Sequence, residues 1–155
     1  MTRESSQRPP SEEQRALTDA MVQVSFGVMS RLTQLGSAHE LSLTQVRVLA
    51  ILRDHEPRMA ELATHLGLDR STISGLVDRA ARRGLVERET TTEDRRSSRV
   101  RLTDAGRELA DALGDAMAEV TAHLTQGLSR TEQRSLRTSL ERLLEQSSPP
   151  RHESS

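Results

Sequence analysis

The chain contains no cysteine, lysine, tryptophan or tyrosine, and Phe26 is its single aromatic residue. The absence of cysteine excludes disulfides, thiolate metal sites and any cysteine redox switch. With one aromatic ring available, core packing must rest on Leu, Val, Ile, Ala and Met, a set better suited to helices than to sheets. Long apolar runs are also missing. Nothing approaches the roughly 20 residues of a membrane span, and the start Met-Thr-Arg-Glu-Ser-Ser lacks a signal-peptide core. The expectation is a mainly α, cytoplasmic protein. At 155 residues it fits the prior of about 100 to 200 residues for a single domain.

Without lysine, every basic side chain is an arginine, and their placement says more than the net charge of -1. Between Arg79 and Arg101 there are eight arginines against four acids, a local excess of four positive charges, so the remainder carries five net negative ones. One basic edge on an acidic body suits docking on DNA; a locally basic loop on an ordinary surface is the alternative.

The apolar positions Leu17, Met21, Val24, Val28, Leu32 and Leu35 recur every three or four residues, which predicts a long amphipathic helix over about 15–36. Ser42-Leu43-Thr44-Gln45 is a capping box for a second helix running to about Asp54. Pro57 is expected to open a short third helix with Leu62, Ala63 and Leu66, closed by Gly67 in the left-handed conformation. Asp69 then caps a helix over Arg70 to Arg83 whose inner face is Ile73, Leu76, Val77 and Ala80. A short helix, a tight glycine turn and a longer helix form a helix-turn-helix unit. After Gly84, Leu85 to Glu89 and Arg99-Val100-Arg101-Leu102 read as paired strands. They bracket Asp94-Arg95-Arg96 at a narrow tip, where guanidinium groups fit a DNA minor groove.

Thr103-Asp104 starts a long helix, and a second capping box, Ser129-Arg130-Thr131-Glu132, starts a last one with Leu136, Leu140, Leu143 and Leu144. The winged helix-turn-helix spans about 43–103, within a folded region of 14–146. Residues 1–13 and 147–155, rich in Ser, Pro and charge, read as disordered tails. The helices at 15–36 and 104–146 carry more apolar surface than so small a winged unit can cover. They predict an all-helical dimerisation region, and thus a homodimer.

These motifs, in this order, resemble the MarR (multiple-antibiotic-resistance regulator) family of winged helix-turn-helix transcription factors. The resemblance covers about residues 17–144. It is carried by Glu61-Leu62-Ala63, Gly67-Leu68-Asp69-Arg70-Ser71-Thr72-Ile73-Ser74, Arg83-Gly84-Leu85-Val86-Glu87-Arg88, Asp94-Arg95-Arg96 and Leu102-Thr103-Asp104-Ala105-Gly106. It implies a bacterial homodimer with two winged lobes. Usually such a protein represses its own or a neighbouring gene, and often a small ligand releases it.

Under that resemblance the start of the recognition helix enters the major groove. Ser71, Thr72 and Ser74 would reach base edges or phosphates, with Arg70 and Arg79 neutralising phosphates at its ends. For Ser71 and Thr72, plain helix-start chemistry is the alternative. Many family members have a base-reading Arg where this chain has Gly75, so direct readout there is lost, along with about 1 kcal/mol of helix propensity relative to Ala. Asp94 and Arg96 match a wing pattern in which the acid orients an arginine for the minor groove. Arg95 serves the same end or contacts phosphate, and Arg99 either lines the DNA face or merely solubilises the strand. The twofold axis implies an inverted-repeat operator with half-site centres roughly 10 base pairs apart.

Family ligands commonly sit between the dimer helices and the winged lobe, where this chain offers Phe26, Met29, His39, Val46 and Met117. Val46 replaces the aromatic that stacks on phenolic ligands in some members, which disfavours a large aromatic effector. His39, His55, His65 and His123 lack the spacing of a metal site, so no metal or cofactor is expected. No nucleophile with a base and no phosphate-cradling loop is evident, so the chain is not expected to be an enzyme. A winged protein-interaction module is the nearer rival to a DNA-binding regulator.

Overall fold

Six helices and one hairpin make up the residues that the computed structural model describes, 9–90 and 98–147. In order they are α1 (Glu12–Ala38), α2 (Leu43–Asp54), α3 (Met59–Leu66), α4 (Arg70–Arg82), β1 (Val86–Thr90), β2 (Ser98–Leu102), α5 (Asp104–Leu124) and α6 (Arg130–Ser147). Among the described residues no helix is long and apolar enough to cross a membrane. The chain divides into two compact units, Met1–Met117 and Ala118–Ser155.

Helix starts in the first unit follow their caps. The Ser11 hydroxyl accepts from the Gln14 N–H at 3.1 Å, so α1 begins at Glu12. The tail expected over 1–13 therefore overlaps the helix: Glu12 and Glu13 form its first turn, where carboxylates suit the helix dipole. At α2 the predicted capping box is complete, Gln45 N–H donating to Ser42 Oγ at 3.2 Å and Ser42 N–H to Gln45 Oε1 at 2.9 Å. Gly67, at φ 65°, closes α3 in the left-handed region as expected.

Pro57 does not open α3. The helix starts two residues later, at Met59, with the Arg58 N–H donating to Glu61 Oε2 at 2.7 Å. Pro57 is strand-like instead: its carbonyl accepts from the Val100 N–H at 3.1 Å, and Arg58 bridges antiparallel to Arg99. A proline tolerates a sheet edge because its missing N–H is not needed on that side.

The hairpin is antiparallel, with Val86 opposite Leu102, Arg88 opposite Val100 and Glu89 opposite Arg99. Val100 is completely buried, and Val86 and Leu102 nearly so, while Arg99 and Arg101 face out, as the alternation requires. Across the ladder, Arg101 and Glu87 form an ion pair at 2.9 Å. The core gathers Leu49 and Leu52 of α2, Leu62 of α3, and Ile73 and Val77 of α4 against these strands. Leu32 and Leu35 of α1 pack partly against it. No charged or polar residue is buried among the described residues.

The start of α5 is fastened to the turn after α4. Thr103 Oγ1 donates to the Gly84 carbonyl at 2.6 Å and accepts from the Gly106 N–H at 3.0 Å, while its own N–H donates to the Leu85 carbonyl at 3.1 Å. Any Cβ at Gly106 would collide with the Leu85 carbonyl oxygen. This close approach is the physical content of the Leu-Thr-x-x-Gly pattern at 102–106.

In the second unit, α6 starts at the predicted capping box. Ser129 N–H and Oγ both donate to Glu132 Oε2, at 2.8 and 2.7 Å. These bonds, the Ser129 hydroxyl first, hold the Glu132 carboxyl below its ordinary value. Helix α6 extends through Ser147, one residue into the expected C-terminal tail.

Candidate nucleic-acid interface

Helix α4 turns one face wholly inward: Ile73 and Val77 have no exposure, and Leu76 and Ala80 very little. The opposite stripe is therefore fixed by helical geometry, with Ser71, Thr72, Asp78, Arg79 and Arg82 exposed and Ser74 and Gly75 half-buried. The hydroxyls at its start are already engaged. Ser71 Oγ donates to Asp69 Oδ1 and Thr72 Oγ1 to Asp69 Oδ2, both at 2.6 Å, and the Thr72 N–H adds a bond to Oδ1 at 2.9 Å. The Ser71 hydroxyl, then those of Thr72, hold the Asp69 carboxyl far below the usual carboxylate range. Of the two uses open to Ser71 and Thr72, this geometry realises the helix-start one. Their oxygens keep free lone pairs and can still accept, whereas donating elsewhere would require breaking a bond to Asp69.

Ser74 is committed as well. Arg88, on β1, reaches across to α4 and donates to Ser74 Oγ at 3.3 Å and to the Ser74 carbonyl at 3.2 Å, while pairing with Asp78 at 2.7 Å. This clamp ties the base of the hairpin to the middle of the helix. Asp78 and Arg88 are ten residues apart, across a glycine turn and a change of element; no sequence spacing signals that they meet. Arg83, though exposed, is also committed: it donates to the carbonyls of Glu40 and His39 at 2.9 and 2.8 Å and anchors the end of α4 to the α1–α2 junction.

Gly75 leaves a bare patch in the exposed stripe. An added Cβ would meet only Arg79 Nη1, at 3.5 Å. Arg70 lies at the first turn of α4 and Arg79 one turn from its end. Arg99, on β2, donates to the Glu56 carbonyl at 3.1 Å and so braces the strand edge beside Arg58. Asp94, Arg95 and Arg96 lie outside the described residues.

Of the five residues suggested for a ligand, two share a depression. Phe26 and Met29 line an open depression on α1 alone, with Met21 and Val22 among its other walls. His39 is exposed at the end of α1, and its carbonyl serves Arg83. Val46 belongs to the core, at 5% exposure, with its Cγ2 2.9 Å from where a Gly36 side chain would begin. Met117 lies on α5 and is half-buried. The family resemblance puts Val46 at a ligand-stacking position, but here the close approach of α1 at Gly36 makes it part of the packing. Among the described residues no three His, Asp or Glu side chains are grouped to hold a metal ion.

Comparison with known proteins agrees with this arrangement. Residues 39–97 match the family model described as MarR family. Over 75 residues the chain is 40% identical to the HTH-type transcriptional repressor NicR of Pseudomonas putida, covering 48% of each protein. The chain thus spans about half the length of the curated relatives it matches. A MarR family transcriptional regulator from Silicibacter pomeroyi superposes with a TM-score of 0.72 at 29% identity, over 87% of this chain and 90% of that one. The MepR–DNA complex of S. aureus gives a TM-score of 0.68 at 21% identity, over 83% and 96% of the respective chains, which is a likeness of fold. Over residues 39–97 the sequence is similar to the MarR family, and the fold is that of the MarR winged-helix regulators it superposes on.

Proposed function

We propose that this chain is a sequence-specific DNA-binding transcriptional regulator, a homodimer that represses its own or a neighbouring gene and is released by a small-molecule effector. The observation that carries the reading is the construction of α4. One face is sealed into the core, the other presents short polar groups and arginines to solvent, and a hairpin is braced beside it by Arg88. A helix held in this way fits the major groove, with the hairpin beside it available to the adjacent minor groove. NicR, named as a repressor, and MepR, solved with DNA, support the assignment.

The homodimer is supported by the apolar surface of α1, where Leu17 is 60% and Val24 60% exposed, and of α6, where Leu136 is 41% and Leu140 49% exposed. Faces of this kind are covered by a partner in a stable soluble protein. Two lobes related by a twofold axis then require an inverted-repeat operator with half-site centres roughly 10 base pairs apart. The effector rests on the family resemblance alone. In this reading the activity is binding, not catalysis, and its place is the cytoplasm.

Fluorescence anisotropy on duplexes tiled across the upstream region of its own gene tests the reading. One tile carrying an inverted repeat should bind saturably, and Arg96→Ala should weaken that binding and lower the log-log salt slope by about 1 per lobe. Uniform weak binding to every tile and to every duplex from a random pool would refute it.

A further inference from the structure

The outer stripe of α4 runs through exposed Thr72, half-buried Gly75 and exposed Arg79 and Arg82. Most hydrogen-bond donors near its centre are spent: Thr72 donates to Asp69, and the Arg88 guanidinium is held by Asp78 and Ser74. Arg79 is different. Its guanidinium has no partner among the described residues, and it leans back along the helix until Nη1 lies 3.5 Å from the point where a Gly75 side chain would start. The direction is the ordinary one for a long helical side chain, which points toward the helix N-terminus and covers the residue four positions earlier. The consequence here is unusual, because the residue covered has no side chain. A five-donor planar fork therefore occupies the middle of the exposed face, over the bare backbone of Gly75, and not the C-terminal end suggested by its number in the sequence.

We propose that Arg79 is the base-reading residue of α4, and that Gly75 is the space it works in. This rests on the reading of α4 as a major-groove helix. A guanidinium in the centre of such a helix matches guanine, whose O6 and N7 accept two parallel N–H bonds from the Arg fork. The missing side chain at 75 lets the helix backbone come close to the base edges, so that an arginine anchored one turn later still reaches them. Arg70 and Arg82, at the two ends of the helix, are left to the phosphates.

The test uses the full chain and the operator duplex found by tiling, with each half-site base pair replaced in turn, and with Arg79→Ala, Arg79→Lys and Gly75→Leu compared with the wild type. For the wild type, replacing one guanine per half-site should weaken binding roughly 5- to 150-fold. Arg79→Ala should erase that penalty at that position and leave the penalties elsewhere intact. Arg79→Lys keeps the charge without the fork, so it should lose the discrimination while the salt slope stays the same. Gly75→Leu fills the space and should reduce the same discrimination. If Arg79→Ala instead weakens all duplexes by one common factor and lowers the salt slope, Arg79 is a phosphate contact and the proposal fails. If the wild type itself prefers no duplex, the DNA reading fails and the proposal with it. Circular dichroism of each variant separates these results from misfolding, which an exposed, unpartnered Arg79 gives no reason to expect.

Discussion

Helices α4 and α6 have the same kind of sequence, an apolar stripe at three- and four-residue spacing opposite a charged one, and they end in opposite circumstances. In α4, Ile73 and Val77 are completely buried within the first unit. In α6, which belongs to the second unit, Leu136 and Leu140 remain 41% and 49% exposed. Amphipathic periodicity therefore says that a face is meant to be covered without saying by what. For α4 the cover is the chain itself; for α6, and for Leu17, Met21 and Val24 of α1, we assign it to a second copy.

The largest effect that sharpens this contrast is the truncation of a buried α4 residue. Ile73→Ala should lower unfolding stability by about 2 to 5 kcal/mol, by the same amount at every protein concentration. Leu136→Ala should cost little in dilute solution and progressively more as concentration rises, because a dimer adds stability by mass action. Chemical denaturation across a hundredfold range of concentration checks both. Equal, concentration-independent costs would erase the distinction between the two faces.

Next in size is Gly106→Ala. The added methyl meets the Leu85 carbonyl oxygen, so the fastening of α5 must shift, at about 1 to 3 kcal/mol. Gly75→Ala is the informative counterpart. Its Cβ meets only the end of Arg79 at 3.5 Å, and the variant should gain about 1 kcal/mol from helix propensity. Denaturation midpoints of the two variants should therefore move in opposite directions, and a loss at Gly75 would mean that the exposed face of α4 is not open.

The smallest effect concerns acid. The folded Asp69 carboxyl titrates below its ordinary value because the Ser71 and Thr72 hydroxyls and the Thr72 N–H donate to it. Its contribution is complete above the unfolded value of about 3.9 and disappears as pH falls through the lower folded one. Glu132, held by Ser129 at the start of α6, behaves in the same sense. Asp69→Ala should flatten the acid side of the stability profile measured by denaturant midpoints, and an unchanged slope would show that the cap is not formed in solution.

Much of this arrangement was legible in the sequence because it depends on local chemistry. The capping boxes at Ser42 and Ser129, the left-handed Gly67 and the Asp69 cap involve residues three apart or fewer, and each falls where the pattern puts it. The strand alternation likewise places Val100 inward and Arg101 outward. Most of the features that escaped depend on contacts distant along the chain. Pro57 reads as a helix opener until Val100 arrives to use its carbonyl, and Arg88 reads as a wing charge until Asp78 and Ser74 close on it. Val46, a ligand position only through the family resemblance, is filled in by the approach of α1 at Gly36. The hydroxyls of Ser71 and Thr72 were read as open to DNA or to the helix start, and the carboxylate of Asp69 takes both.

The central claim is that a buried-backed α4 reads DNA while the uncovered helices hold a second copy in register. Stoichiometric titration tests both halves at once: a fluorescent inverted-repeat duplex, at a concentration far above its dissociation constant, is titrated with the full chain. The account predicts a sharp break at two chains per duplex. A break at one chain, or a signal that rises without saturating, would contradict it.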